Sequence, residues 1–347
     1  MDGCLQINIC GRYGGMIMQE LINILQQEYG IDVCNVVPHK EHFIVSSPSG
    51  EKLLKKVGLS CGRIRFIHYA KEHLYKNGFK NIDRYICTIK GEPFITAEGD
   101  NYTLSDFING KESDFELKEH IIKASKLLAS LHSSSKGFMP PADCQPCNYL
   151  GALPSYLQKR LNEIRRLLKM ANRGKTRFDY LFIKCADDFC KQGEDAINSL
   201  NNSGYFALVE QFEKTGGLCH HDFTYNNILL KDGDMWLKNF EYCCLELKVY
   251  DLANFIKRKM RKCSWDINEA YVILKEYRSI EDITRDEFDI LKIMLQFPQK
   301  FWRVINRYYN SNRSWSEKNY TARLEEVIEE AVYINKFLNK FDELYYL

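Results

Sequence analysis

One stretch of the 347-residue chain has the residue types and the spacing that phosphoryl transfer requires. Residues 218–229 read LCHHDFTYNNIL and have the form H-x-D-x-x-x-x-N. In this pattern a carboxylate accepts the proton of a substrate hydroxyl, and an amide oxygen five residues later holds a metal ion that bridges nucleotide phosphates. His220 and Asp222 are therefore candidate catalytic residues, with Asp222 as the base, and Asn227 is a candidate metal ligand.

The elements that must position these residues are a predicted β-hairpin and the helices around it. Two short apolar runs, residues 227–230 and 235–238, flank the turn-forming stretch KDGD, an arrangement that is typical of a hairpin. From about residue 111 onward, apolar residues otherwise repeat with the 3.6-residue period of helices. That period predicts helices near residues 117–131, 155–172, 178–200, 251–262, 285–297 and 322–345.

The residues before this helical half predict a small antiparallel sheet. Short β-rich runs separated by glycine-containing turns predict strands, at residues 42–46, 52–57, 84–89, 94–97 and 102–107. Helical periodicity predicts an amphipathic helix over residues 14–29 and one within the lobe over residues 63–77. The fold class is therefore α+β and protein kinase-like, with an N-terminal β-rich lobe, residues 1–107, and a larger helical C-terminal lobe, residues 108–347, that carries the catalytic-loop hairpin.

Several stretches outside the catalytic loop match a known pattern. They are GEKLLKK at residues 50–56, YAKEHLYKNGF at 69–79, DFINGKE at 106–112, LLASLHSSSKGF at 127–138 and NFEYCCLELKVYDLANFI at 239–256. With them, the chain resembles the aminoglycoside phosphotransferase and choline kinase superfamily, and within it the CotS family of bacterial spore coat proteins. The resemblance covers about residues 30–262.

The resemblance implies roles for residues outside the catalytic loop. Lys55 would hold nucleotide phosphates. Lys56 is its competitor, and only one of the two can reach the cleft because successive strand residues point to opposite faces. Glu72 would be the ion-pair partner of this lysine, and an exposed helix glutamate is the alternative. The hinge near residues 104–107 would offer backbone groups to adenine. Asp251 would cap its helix and bond back to the catalytic loop.

The chain departs from the superfamily pattern at the metal site. An active member carries aspartate at the position of Asn239, where its carboxylate chelates Mg²⁺. An amide offers one neutral oxygen instead, whereas Mg²⁺ prefers anionic oxygen in octahedral geometry. Asn227, Asn239 and Glu241 are the candidate metal ligands, and Glu241 is the one carboxylate among them.

Two further departures surround the expected nucleotide. Residues 33–45 contain no glycine, although glycines there would let backbone N–H groups approach the phosphates. His221 stands where small-molecule kinases usually have glycine, and it adds bulk beside Asp222. Together with Asn239, these departures favour a degenerate site.

Composition limits the partners of the chain. A net charge of +2 gives no bulk electrostatic argument for nucleic-acid binding, and we expect no membrane span because no 18-residue apolar run is present. Thirteen scattered cysteines and the lack of a secretory signal pattern indicate synthesis in the cytosol. The basic run KRKMRK, residues 257–262, leaves two interpretations open: a binding site for an anionic substrate or acidic partner, or a solvated helix end.

The resemblance and the altered metal site together predict a kinase-fold spore coat protein with a degenerate phosphotransferase site, acting in coat assembly. We expect synthesis in the mother-cell cytoplasm, assembly onto the spore coat with other coat proteins as partners, and weak or absent binding of ATP and Mg²⁺. The alternative is an active ATP-dependent phosphotransferase that acts on a small hydroxyl-bearing substrate. A third hypothesis is a nucleotide-binding pseudokinase that changes shape without catalysis.

Overall fold

A computed structural model describes residues 12–13, 16–39, 41–310 and 316–346 of the chain. The chain divides into two compact units. Unit 1 comprises residues 1–113, 138–147 and 224–243, and unit 2 comprises residues 114–137, 148–223 and 244–347. The lobe boundary after residue 107 stays a prediction.

Unit 1 is built around an antiparallel sheet. Its strands and helices are β1 (Arg12–Tyr13), β2 (Met16–Ile17), α1 (Met18–Tyr29), β3 (Asn35–His39), β4 (His42–Ser47), β5 (Gly50–Val57), α2 (Cys61–Lys76), β6 (Tyr85–Ile86), β7 (Ile95–Ala97), β8 (Asp100–Asp106), β9 (Lys111–Glu112), β10 (Ile228–Lys231) and β11 (Asp234–Leu237). The main sheet has the order β3-β4-β5-β8-β6, and β7 also pairs with β8. A second sheet has the order β11-β10-β9.

One face of the main sheet forms an apolar core with α1. Leu54 of β5 lies opposite Leu104 of β8, and both are fully buried in a cluster that includes Leu21 and Leu25 of α1. Burying a leucine side chain stabilises the fold by about 1.5–3 kcal/mol. Because neighbouring strand residues face opposite sides of a sheet, burial of Leu54 in this core turns Lys55 toward the other face.

Unit 2 is helical. It contains α3 (Lys118–Ser135), α4 (Leu153–Ala171), α5 (Arg177–Asn201), α6 (Tyr205–Thr215), α7 (Val249–Met260), α8 (Ile267–Arg278), α9 (Arg285–Gln296), α10 (Gln299–Asn310) and α11 (Glu317–Phe341). Thr176 and Thr284 begin α5 and α9 with reciprocal capping boxes. Within the part of the chain that the structure describes, none of the helices has both the length and the apolar character that crossing a bilayer requires.

Some element bounds differ from those expected. The helix expected over residues 14–29 begins at Met18 in the described residues, and the strand expected over residues 84–89 is limited to Tyr85–Ile86. Strand β3 and helices α6, α8 and α10 have no counterpart in the sequence prediction. Pro38 lies within β3, which is at the edge of the sheet, where a residue without a backbone N–H is tolerated.

Candidate active site

Asp251 anchors the backbone of the predicted catalytic loop in unit 2. Its carboxylate is buried and accepts the backbone N–H groups of His220 at 2.7 Å and His221 at 2.8 Å. Burial raises the pKa of Asp251, but the hydrogen bond from His132 and the neighbouring histidines outweigh it, so that its pKa lies below the usual value. Asp251 therefore fixes the loop from α7.

His220 is a positioning residue in this loop. Its side chain is fully buried, and its Nδ1 accepts the backbone N–H of Asp222 at 3.2 Å. The carboxylate of Asp222 is 36% exposed and lies 3.8 Å from Nη2 of Arg258 on α7. The loop thus presents Asp222 at the surface of unit 2 while His220 holds its backbone.

The backbone conformation of His221 is consistent with the glycine that small-molecule kinases usually have at this position. Its φ is 68°, in the left-handed region that glycine adopts without strain. Its imidazole stacks on Tyr250 with ring centroids 4.1 Å apart and on Tyr149 at 5.2 Å. Stacking of this kind contributes about 0.5–1.5 kcal/mol, which offsets the backbone strain.

Unit 1 brings together the four residues expected to hold nucleotide phosphate and metal. The ammonium of Lys55 donates to Oδ1 of Asn239 at 3.0 Å and forms an ion pair with Glu241. Nδ2 of Asn239 donates to Oδ1 of Asn227 at 2.8 Å. Lys55, Asn239 and Asn227 therefore form a hydrogen-bonded chain, which we call the amide relay.

The orientation of the Asn239 amide follows from its neighbours. If the amide were turned over, its N–H₂ group would face the ammonium of Lys55, and two donors would oppose each other. The Asn239 backbone has a φ of 63°, a conformation that asparagine tolerates better than most residues. Its backbone N–H donates to Oδ2 of Asp83 at 3.2 Å. Backbone and side chain are both held in place.

These residues do not fit a Mg²⁺ ion. Oδ1 of Asn239 accepts from an ammonium and Oδ1 of Asn227 accepts from an amide, so both oxygens already face N–H donors. The carboxylate of Glu241 is neutralised by Lys55. Mg²⁺ requires hard, preferably anionic oxygens in near-octahedral geometry, and this donor set supplies one carboxylate that is already paired.

The structure distinguishes Lys55 from its competitor and gives Glu72 a different partner. Lys56 pairs with Asp100 at 2.5 Å, and both side chains are exposed. The carboxylate of Glu72 accepts two hydrogen bonds from Arg84, at 2.6 and 2.7 Å. The structure thus does not bring Glu72 to Lys55.

Sequence reasoning missed a buried ammonium on α2, that of Lys71. Its side chain is 1% exposed, and its Nζ lies 2.9 Å from Oδ1 of Asp83 and 3.9 Å from the centroid of the Tyr85 ring. Burial lowers the pKa of Lys71, and the Asp83 carboxylate opposes that effect. The signal was its spacing, since Lys71 follows the apolar Ile64 and Ile67 by seven and four residues on the buried face.

A cavity of about 200 Å³ in unit 1 adjoins the amide relay. Its lining includes Lys55, Lys71 and Asp83. It also includes residues 105–108, which overlap the expected hinge, and His39 and His42 of the β3–β4 hairpin. Burial lowers the pKa of His42, and the nearby Lys55 lowers it further. The glycine-free segment has thus become a hairpin that carries imidazole rings to the cavity.

A second group of metal-ligand types belongs to the core of unit 2. His132, Cys219 and Asp251 have ligand atoms within 4.8 Å of one another. Nδ1 of His132 bonds with the Tyr277 hydroxyl at 2.7 Å, and Sγ of Cys219 donates to backbone carbonyls. Asp251 already binds the catalytic loop. All three side chains are therefore hydrogen-bonded residues of the core.

Comparisons with known proteins relate the chain to a family of spore coat proteins. The family model described as "Spore coat putative kinase YutH" matches residues 22–341. Spore coat protein S of Bacillus subtilis (strain 168) is 27% identical over 304 residues, which cover 87% of this chain and 86% of that protein.

Two solved structures have a similar fold. An aminoglycoside phosphotransferase from Alicyclobacillus acidocaldarius superposes with a TM-score of 0.82 at 19% identity, covering 97% of this chain and 98% of that one. A spectinomycin phosphotransferase in complex with ADP and spectinomycin gives a TM-score of 0.55 at 16% identity, with coverages of 91% and 98%. These likenesses confirm the kinase-like α+β fold that the sequence predicts.

Proposed function

The chain belongs to the spore coat putative kinase YutH family, and on that premise we propose that it is a coat protein with a degenerate phosphotransferase site that acts in coat assembly. Its resemblance to coat proteins of the CotS kind is confirmed by its similarity to spore coat protein S. The kinase-like fold supplies a stable scaffold, and fold alone does not imply catalysis.

The observation that carries the proposal is the amide relay. Where a phosphotransferase needs anionic oxygen for its metal, the chain places the neutral Asn239 between Lys55 and Asn227. The remaining carboxylate, that of Glu241, pairs with Lys55. The ammonium of Lys55 is therefore held by two residues of the expected metal site, whereas the resemblance implies that Glu72 pairs with it. Both changes disfavour tight binding of ATP with Mg²⁺.

The proposal extends to location and partners. We propose that the chain is made in the mother-cell cytoplasm and reaches the spore coat through contacts with other coat proteins, in keeping with the coat-protein relative. The catalytic loop, with Asp222 partly exposed and its backbone held by Asp251, supports descent from a phosphotransferase. A small hydroxyl-bearing substrate is part of the alternative, in which the chain is an active enzyme.

The test is a thermal-shift titration with ATP in the presence and absence of Mg²⁺. We expect little Mg²⁺-dependent stabilisation of the wild type and a clear increase in Asn239→Asp, because the new carboxylate supplies an anionic metal ligand. A ligand at a hundred times its Kd stabilises a protein by about 2.7 kcal/mol, which such an assay resolves readily.

The matched control is Asn162→Asp, which introduces the same charge on the exposed face of α4, where Asn162 accepts a hydrogen bond from Gln158 that aspartate would keep. It is expected to behave like the wild type. Strong Mg²⁺-dependent stabilisation of the wild type, or ATP-dependent phosphorylation of a hydroxyl acceptor that Asp222→Asn abolishes, would establish the active alternative instead.

A further inference from the structure

The basic run at the end of α7 separates into two groups. Lys259 lies 3.1 Å from Glu269, and Lys262 lies 2.9 Å from Glu116, so these two lysines are paired within unit 2. Lys257 and Arg261 lie on one face of the helix end, since their positions are one turn apart, and Arg258 lies between that face and Lys262. Two of the five cations are therefore explained by these ion pairs, and the other three need another account.

Two arginines from other helices join the second group. Arg160 of α4 donates to Gln299, which lines the same cavity as Lys257 and Arg261, and it stacks on Trp302, the residue before Arg303 of α10. The positive charge of Arg258 in turn lowers the pKa of Arg303. Lys257 and Arg261 line a small cavity of about 30 Å³ beside Trp265 and Phe301. We call the five residues Arg160, Lys257, Arg258, Arg261 and Arg303 the cationic cluster.

Nearby carboxylates do not balance this cluster. Glu330 lies near Arg261 but is bound by Lys300 at 2.6 Å and by the Trp265 indole at 2.8 Å. Asp222 is 3.8 Å from Arg258. With Lys257 protonated, the five cations and these two carboxylates leave a surplus of three positive charges. Among the described residues, neither Lys257 nor Arg303 has a carboxylate within ion-pair distance.

Aromatic rings, rather than acids, hold one arginine of the cluster in place. The guanidinium of Arg160 lies 3.3 Å from the centroid of the Tyr156 ring and 4.4 Å from that of Trp302. It also donates to the side-chain oxygen of Gln299. Stacking orients a planar guanidinium while leaving its remaining donors available.

The dipole of α7 does not account for the cluster. Cations are favoured at a helix C-terminus, which applies to Lys257, Arg258 and Arg261. Arg160 lies in the interior of α4, and Arg303 lies in the interior of α10. Burial and the neighbouring cations lower the pKa of Arg303 and of Lys257, the latter to about 7. Crowding of like charges costs folding energy, and such arrangements occur where a ligand of opposite charge binds.

We propose that the cationic cluster binds a small molecule that carries two or more phosphate groups. Arginines dominate the cluster, and the guanidinium fork matches phosphate oxygens in a bidentate geometry. The surplus of three positive charges suits a compact polyanion. The site lies within unit 2, where Arg258 is 3.8 Å from the candidate base Asp222, and it does not depend on nucleotide or metal binding in unit 1.

The test is isothermal titration calorimetry without divalent ions, using inorganic tripolyphosphate and fructose 1,6-bisphosphate as probes. We expect Arg303→Gln and Arg160→Gln to weaken binding at least tenfold, which corresponds to 1.4 kcal/mol. Lys262→Gln removes one charge from the same run, but Lys262 is paired with Glu116, so binding is expected to change less than twofold. Lys55→Met controls for phosphate binding in unit 1 and is expected to have no effect.

A second readout follows from Lys257. The groups around it are Arg160 on α4, Arg261 on α7, Arg303 on α10 and the Lys300–Glu330 pair. Because its pKa is lowered to about 7, part of the Lys257 population is neutral at pH 7.5. A bound polyanion favours the charged form, so binding takes up protons, and the measured heat then depends on the ionisation enthalpy of the buffer. Lys257→Met removes the part of that dependence that comes from the ammonium, while the part from the phosphate groups of the probe remains.

Binding of either probe with this pattern of variants supports the proposal. Binding of tripolyphosphate alone indicates inorganic phosphate as the source, and binding of the bisphosphate alone indicates a phosphorylated polyol. The proposal is overturned if the wild type binds neither probe at millimolar concentration, or if Lys262→Gln or Lys55→Met weakens binding as much as Arg303→Gln does. The melting temperature of Arg303→Gln verifies that this variant folds.

Discussion

Substituting the two partners of the buried Lys71–Asp83 ion pair is expected to destabilise the protein to different extents. Asp83→Asn leaves the ammonium of Lys71 buried without a counter-charge, whereas Lys71→Met removes that ammonium and keeps an unbranched side chain of similar length. The site is well defined, since Lys71 is 1% exposed, lies 2.9 Å from the Asp83 carboxylate and donates to the Asp83 carbonyl at 2.7 Å. The two substitutions therefore separate the cost of burying a charge from the value of the contact.

The magnitudes follow from burial. Removing one partner of a buried ion pair costs about 3–5 kcal/mol, because an uncompensated charge remains, while replacing the charges by apolar groups is often close to neutral. Asp83→Asn is thus expected to cost about 3 kcal/mol. Lys71→Met is expected to cost about 1 kcal/mol, because the methionine sulfur can contact the Tyr85 ring and the Asp83 side chain, 17% exposed, retains some solvent.

The assay is urea unfolding of both single variants and of the double variant at pH 6 and pH 9. Lys71→Met combined with Asp83→Asn is expected to resemble Lys71→Met alone. The pKa of Lys71 lies below its usual value in the folded protein, so the unfolded state binds more protons and stability rises with pH. The loss in Asp83→Asn is therefore smaller at pH 9. Equal losses in the two single variants at pH 6 would refute the reasoning.

Two further predictions concern unit 2. Burial raises the pKa of Glu246 to about 8, so the folded state keeps a proton that the unfolded state loses near pH 4.5. Between pH 5 and 7 this group therefore lowers the free energy of unfolding by about 1.4 kcal/mol for each unit of rising pH. Urea unfolding of Glu246→Gln over that range should show this slope removed, and an unchanged slope contradicts the assignment. Asp251→Asn turns an amide N–H₂ toward one of the backbone N–H groups of His220 and His221, at a cost of about 2–4 kcal/mol. Differential scanning calorimetry checks it, and a melting temperature equal to that of the wild type contradicts it.

The parts of the fold with strong periodicity could be predicted from sequence. Helices α4, α5 and α9 were expected within two residues of their bounds, since their apolar residues recur at helical spacing. Helix α6 was not expected, because it is short and lies between Gly204 and Gly216, which interrupt the pattern on both sides. Strand β3 was missed because it contains Pro38.

The site residues show the same limit at a finer scale. The spacing of the catalytic loop selected Asn227, and the family resemblance selected Lys55 and Asn239. Spacing does not determine which cation and which carboxylate meet. Glu72 pairs with Arg84 and Lys55 pairs with Glu241, and both choices depend on where α2 and the residues after β11 lie in the folded unit.

The amide relay has a consequence for the ions in the surroundings of the protein. A phosphotransferase takes up a divalent metal ion from solution, and that ion supplies positive charge to its pocket. When the ion is removed, the carboxylates that bound it repel each other. Here the charge is covalently attached, as the ammonium of Lys55 beside Glu241 and Asn239. We therefore expect unit 1 to keep the same stability when a chelator removes every divalent ion.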